Sequence, residues 1–286
     1  MVVSLALVAT IHLVAQDNKK LDKQEMAKEK REKLLDEEYL KDVVPFKVEL
    51  YTRRGPPGRV VLVELLTRLD CRPCVAADVA FDAALKAYQP RDVILLQYIA
   101  PLGNADAAQR ANSQNNAPSG GTPCTRVSGG ANLALAGNKA AGQDRYAKLA
   151  KAIDEKLAGD AAAKIGLSVK QTGDDLAIAV AVSDLASPGA DTKLRLALIE
   201  KAVRYPAPNG VRIHHHVVRA MPGGADGFTL KEPAAKQEVT IDLAALRKSL
   251  GDALLPLTDL AVVAFIQNDK TGEVLQATQA DVHIEK

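Results

Sequence analysis

Two strongly apolar runs with a helix-patterned stretch between them constrain this chain more than any other feature. Val60-Val-Leu-Val63 and Val93-Ile-Leu-Leu-Gln-Tyr-Ile99 are too uniformly apolar to alternate, as expected of strands buried on both faces. Between them, Val75 to Tyr88 places Phe81, Leu85 and Tyr88 on one helical face, with Asp78 and Asp82 among the polar positions. Strand, helix and strand within about 40 residues form a βαβ unit, which implies a parallel pair joined by a right-handed crossover. Aromatic residues make up only 3% of the chain and Trp is absent, so Ala, Val, Leu and Ile must build the cores.

The 286 residues suggest about two domains at roughly 150 residues each. Residues 1–16 read as a signal peptide. Val2 to Val14 is too short to cross a bilayer, which needs about 20 apolar residues, but it suits the apolar core of an export signal. Residues 17–44 are crowded with charges of both signs and carry one weak apolar stripe, Leu34, Leu35 and Tyr39, as expected of a solvated helical spacer. From residue 45 the pattern changes. Phe46 to Tyr51 alternates like a strand, and Arg53 to Gly58 reads as a turn. Pro101 to Gly121 reads as a polar loop with one short helix. Gly142 to Leu157 is an amphipathic helix with Tyr146, Leu149, Ile153 and Leu157 on one face.

After Asp160 the period switches to two. Ile165–Val169, Leu176–Val182, Leu194–Ile199, Val211–Val218, Val239–Leu243, Leu260–Ile266 and Val274–Val282 all read as strands, the last two joined across Asn268 to Gly272. Many short strands and almost no helix argue for a β-sandwich. The expected class is therefore α/β plus all-β, with an α/β domain over residues 45–159 and a sandwich over 160–286.

Lys and Arg number 37 against 35 Asp and Glu, a net charge of +2, so the chain lacks the basic field of a nucleic-acid binder. Scarce aromatics also argue against a stacking surface for single strands. No G-x-S-x-G, Walker A, G-x-G-x-x-G or H-E-x-x-H motif occurs.

The chemistry concentrates at Cys71-Arg-Pro-Cys74, where a buried strand ends and a helix begins. A disulfide there would close so small a loop that it adds little to stability, so reactivity is the better reason for it. A helix N-terminus favours the thiolate, Arg72 adds a fixed positive charge, and Pro73 stiffens the turn without losing a helical hydrogen bond. Cys71 is then the exposed nucleophile and Cys74 the more buried resolving thiol. Zinc would need four ligands, and residues 45–160 contain no histidine; only Cys124 and the distant His214–His216 cluster could complete a site. His214 and His216 share one strand face without an evident third ligand, so satisfied polar residues are the plainer reading. Arg219 and Glu200 could pair between neighbouring strands.

The stretch from Phe46 to Leu157 resembles the thioredoxin superfamily. The resemblance rests on the strand Val60–Val63, the Cys71-Arg-Pro-Cys74 motif with its helix, the strand Val93–Ile99 and Gly121-Thr-Pro123. It implies reactive-cysteine roles for Cys71 and Cys74 and a cis Pro123 that packs against them and aligns a substrate polypeptide. Thr122 would offer backbone contacts beside Arg72 and Pro73. Glu64 on the central strand is either a carboxylate shuttling a proton to Cys74 or an ion-paired residue. Two departures stand out: Asp70 replaces the usual Trp, which should raise the thiol pKa, and Cys124 follows Pro123 as an intercepting thiol or a buried small hydrophobe. With Leu196-Ala-Leu-Ile-Glu200, Asn209-Gly210, His214 to Met221 and Gly223-Gly224, the whole resembles a bacterial envelope family of a thioredoxin-like domain followed by an immunoglobulin-like β-sandwich, related to outer-membrane lipoproteins.

These readings converge on an exported, periplasmic or otherwise extracytoplasmic thiol–disulfide oxidoreductase. Its redox-active disulfide would be its only prosthetic element, with no other cofactor and no metal. Its partners would be cysteine-containing envelope proteins or a redox partner protein, without nucleic acid, and an uncleaved N-terminal segment would tether it to the membrane. The alternatives are a non-catalytic envelope binding or structural protein and, third, a metal module using the thiols with His214 and His216.

Overall fold

The computed structural model describes residues 23–53, 58–100, 102–115, 121–251 and 257–283. The expected signal, 1–16, lies outside these residues, as do the first residues of the charged segment, most of the turn before Gly58 and part of the loop before Gly121. The chain divides into two units, Met1–Pro45 and Phe46–Lys286. In the first, residues 23–41 form helix α1, whose side chains are mostly exposed.

In the second unit β1 (Val61–Arg68), α2 (Val75–Ala87) and β2 (Val93–Ala100) are the strand–helix–strand element. Helix α3 (Ala105–Asn115), β3 (Cys124–Val127) and α4 (Gly142–Leu157) follow. Then come β4 (Lys164–Thr172), β5 (Asp175–Ser183), β6 (Thr192–Arg204), β7 (Ile213–Ala220), β8 (Phe228–Thr229) and β9 (Ala235–Asp242). Helix α5 (Leu243–Leu250) and the hairpin strands β10 (Leu260–Asn268) and β11 (Val274–Asp281) end the described chain. Strands β1 and β2 run parallel in register from Val61 opposite Val93 to Arg68 opposite Ala100, and β3 pairs antiparallel to β1.

The expected division into an α/β domain and a separate immunoglobulin-like sandwich is finer than these strands show. The class is mixed α/β with large β-sheets, but one eight-stranded sheet in the order β11-β10-β6-β7-β2-β1-β3, with β8 beside β6, runs through both halves of the sequence. The junction is β2 against β7, parallel, with Gln97 opposite Val217. Both edges of β2 are thus taken, one by each half. A three-stranded antiparallel sheet, β4-β5-β9, is separate from it.

Side-chain parity explains the layers. Val61, Val63, Leu65, Val93 and Leu95 face one side, packing with Phe81 of α2 and with Leu149 and Ile153 of α4. Leu62, Leu66, Ile94, Leu96 and Tyr98 face the other, with Ala107 and Ala111 of α3 and Ala261, Val263 and Phe265 of β10. The intervening residues of β10, Val262, Ala264 and Ile266, pack with β5 and α5 in a further cluster. Each fully buried aliphatic contributes about 1.5–3 kcal/mol, so the chain builds its cores with few aromatic rings.

The two halves also meet through loops. Val60 N–H donates to Gln276 Oε1 at 2.8 Å, and Val274 N–H to Ser128 O at 3.1 Å. At that contact Gly129 has φ +74°, and a Cβ there would fall 1.7 Å from Gly272 O, so only glycine permits the approach.

Phe46–Tyr51 joins no ladder, against the expectation of a strand. Its alternation serves packing on helices instead. Tyr51 N–H donates to Ala87 O, the Tyr51 ring lies 5.1 Å from Tyr88, and the Phe46 ring lies 5.9 Å from Tyr146. Helix α5 is likewise unanticipated; Asp242 caps it through Ala245 N–H at 2.9 Å.

Candidate functional site

Strand β1 ends at Arg68, a turn follows, and residues Arg72–Cys74 form a single 3₁₀ turn that runs directly into α2. Pro73 falls in its first positions, where a missing N–H costs nothing. Cys71 and Cys74 form a disulfide with an S–S distance of 2.02 Å and a Cα–Cα distance of 5.3 Å. The two sulfurs differ in access: Cys71 is half-buried, whereas Cys74 has 0% exposure. Arg72 and Pro73 between them are exposed.

A second segment closes over the pair. Cys71 Sγ lies 3.7 Å from Thr122 O, and the Thr122–Pro123 peptide bond is cis. Pro123 is buried and Thr122 half-buried, so the structure places Cys71, Cys74, Thr122 and Pro123 together. The turn is braced from behind by the strand-like stretch before α4: Gly137 N–H donates to Pro73 O at 2.8 Å and Ala76 N–H to Gly137 O at 3.2 Å. Asp70 accepts from Arg68 Nε and Nη2 at 3.2 and 3.1 Å. Its charge is thereby partnered rather than opposed to the sulfur.

Glu64 is not part of this site. It occupies the same parity of β1 as Leu62 and Leu66, the face covered by α3, whereas α2 lies on the opposite face. Its carboxylate accepts from Arg110 Nε at 3.2 Å, from Arg110 Nη2 at 3.0 Å and from Tyr98 Oη at 3.0 Å, with the residue 1% exposed. Of the two expected roles it has the ion-paired one. Cys124 shares that inner face, where it is free and buried, and burial raises its thiol pKa.

A buried carboxylate on α2, Asp78, was placed by sequence only among the polar positions of the helix. Asp78 lies four residues after Cys74 on α2 and is only 4% exposed. Gln97 Nε2 donates to its Oδ1 at 2.9 Å. Burial first, then the charge of Asp82, pushes its pKa up to about 8. Asp82, a turn further on and also buried, meets His215 Nδ1 at 2.8 Å. Burial opposes charge on His215, but Asp82 outweighs it and the pKa rises. The signal was available: two aspartates spaced one turn apart in a helix whose other residues before Lys86 are all apolar.

The three histidines do not converge. His214 Nε2 meets Tyr205 O at 3.0 Å, and His216 Nδ1 meets Leu95 O at 3.1 Å. Burial pushes both down to about 4, so they are neutral at physiological pH. His216 has φ +52°, and its ring occupies a carbonyl of β2 beside the single β2–β7 bridge. Among the described residues no cluster of His, Cys, Asp or Glu could hold a metal ion. Arg219 and Glu200, both buried, approach to 3.5 Å across β6 and β7.

No family model matches this chain, and no curated protein matches it. Its structure is similar to HBP35 of Porphyromonas gingivalis, with a TM-score of 0.60, 17% identity, and coverage of 80% of this chain and 77% of that one. A domain of the outer membrane lipoprotein Omp28 from Porphyromonas gingivalis gives a TM-score of 0.32 at 16% identity, over 44% of this chain and 92% of that one. A DUF3823 family protein from Bacteroides ovatus gives 0.27 at 12% identity, over 43% of this chain and 56% of that one. The likeness to HBP35 is one of fold.

These findings correct the family assignment drawn from sequence. The structure of similar fold is HBP35, which is not described as a thioredoxin-like protein, and the resemblance carried by the cysteine motif does not extend to the sheet order. The physical reason is the shared sheet: short motifs around the cysteines report only the local turn, whereas pairing of β2 with β7 is set by residues far apart in the chain.

Proposed function

We propose that this chain is an exported protein, periplasmic or otherwise extracytoplasmic, whose Cys71–Cys74 pair exchanges disulfides with cysteine-containing partner proteins. One observation carries the reading: the pair is joined at the start of α2 with Cys71 only half-buried and Cys74 fully covered. That asymmetry fixes the order of events. In the oxidised form a partner thiolate attacks Cys71 Sγ, and Cys74 leaves as a thiolate that takes up a proton. A second partner thiol, losing its proton, then displaces Cys71 from the mixed disulfide, so two electrons pass to the pair. Run in reverse, Cys71 thiolate attacks a partner disulfide and Cys74 resolves it. The α2 dipole and exposed Arg72 support a thiolate at this turn, while Thr122 and Pro123 border the approach to it. An existing disulfide and the apolar run Val2–Val14 support the compartment. That run, uncleaved, would serve as a membrane tether.

The test is exchange with a protein disulfide such as that of insulin. The Cys71→Ser variant is expected to lose at least about a hundredfold in rate, because the nucleophile itself is removed. A second reading, a non-catalytic envelope protein using this scaffold as a binding or structural module, agrees better with the comparisons, since HBP35, the protein of similar fold, is named for no redox activity. Wild type and Cys71→Ser being equally inert would establish that second reading in place of the first.

A further inference from the structure

The turn that carries Cys71 is held by a residue from the far half of the chain. At the tip of the β6–β7 connection, Asn209 donates its backbone N–H to Leu69 O at 3.0 Å. Its side-chain Nδ2 donates to Arg68 O at 3.2 Å and to Cys71 O at 3.4 Å. The same Cys71 carbonyl accepts from Cys74 N–H at 3.2 Å, so Asn209 supplies a second donor to the carbonyl that closes the cysteine turn.

The tip that presents Asn209 is itself well braced. Asn209 Oδ1 accepts from Val211 N–H at 3.1 Å, Ala207 N–H donates to Val211 O at 2.7 Å, and Gly210 N–H donates to Ala207 O at 2.9 Å. Beneath it, Leu69 and Tyr205 pack on Ile99, Leu102, Val203 and Val217. The clamp therefore joins two elements that are each anchored in the same small core.

We propose that Asn209 is a positioning residue for the Cys71–Cys74 pair, holding the 68–71 turn in its closed form in both the disulfide and the dithiol. This deepens the exchange reading and rests on it. A dithiol kept in the closed turn loses little conformational freedom when the disulfide forms. Removing the clamp frees the reduced turn and so disfavours closure. Releasing one residue's backbone corresponds to roughly a tenfold factor.

The experiment equilibrates the full chain with glutathione. One protein disulfide and two glutathione thiols give one protein dithiol and one glutathione disulfide, two electrons and two protons passing to the protein sulfurs. Asn209→Asp keeps the acceptor for Val211 N–H and removes both side-chain donations. Asn209→Ala removes the side-chain donations without adding charge and keeps the backbone bond to Leu69 O. Both are expected to shift the equilibrium toward the dithiol by about tenfold, ~30 mV for this couple. Agreement between the two separates the clamp from the charge that Asp introduces. Constants within about twofold of wild type, while wild type exchanges with insulin, would overturn the role of Asn209 alone. A wild-type pair that equilibrates with glutathione yet exchanges with no protein disulfide would instead overturn the exchange reading, with the Asn209 coupling still measured.

Discussion

Replacing Arg110 with methionine is expected to destabilise the fold by about 3–5 kcal/mol, the usual effect of removing one partner of a buried ion pair. Arg110 and Glu64 are 6% and 1% exposed, and the guanidinium is the only cation bonded to that carboxylate among the described residues. Methionine keeps much of the volume and the contact with Phe265, whose ring lies 5.7 Å from the guanidinium carbon. The loss is therefore electrostatic: a carboxylate is left in an apolar layer with only Tyr98 Oη donating to it. Urea unfolding measures it. Adding Glu64→Gln to Arg110→Met should recover most of the loss, because the stranded charge is gone. A single variant within about 1 kcal/mol of wild type would show that the carboxylate does not depend on Arg110 for its charge. Because the pair lies on the opposite face of β1 from α2, glutathione equilibria of the cysteines should be unaffected.

The second large effect concerns Asp78 and appears as a pH dependence. Its pKa is raised from 3.8 to about 8, so between those values the folded state holds a proton that the unfolded state has released. Stability contributed by this group is therefore fully present below about pH 4 and declines as pH rises through about 8. The limiting size is on the order of 5 kcal/mol, taken from the full shift at 1.36 kcal/mol per unit. Asp78→Asn removes the titration while keeping the shape and an acceptor for Gln97. It should flatten the decline and leave the variant more stable than wild type at pH 9. Parallel stability curves for the two proteins from pH 5 to 9 would contradict this assignment of the buried proton.

The βαβ element was legible because strongly apolar runs and a helical period are local signals, and the cysteine turn was legible because strand, Cys-x-x-Cys and helix abut in sequence. The β10–β11 hairpin was legible from Asn268 to Gly272 for the same reason. The continuity of the large sheet was not. Gln97 and Val217 carry no mark of their pairing, since a strand buried on both faces reads the same whichever neighbour it has. Phe46–Tyr51 shows the converse, an alternating pattern that packs on helices without any ladder. Asp78 and Asp82 were placed among the polar positions of the helix, which does not mark them as buried; in the structure α2 is buried almost all round. Glu64 could have been removed from the cysteine site by parity alone, since Val63 and Leu65 share the α2 face and Glu64 falls between them. The family resemblance failed at a different level. It rested on short segments around the cysteines, and those segments do not specify how the remaining strands are shared between sheets.

Mass analysis of a mixed disulfide tests most directly whether Cys71 is the sulfur that reacts. The reduced Cys74→Ala protein, full length, is mixed with a disulfide-bonded peptide and quenched with acid. The account predicts one covalent peptide adduct per chain, mapped to Cys71, because no resolving thiol remains to release it. An unmodified Cys71, or an adduct confined to Cys124, would contradict it.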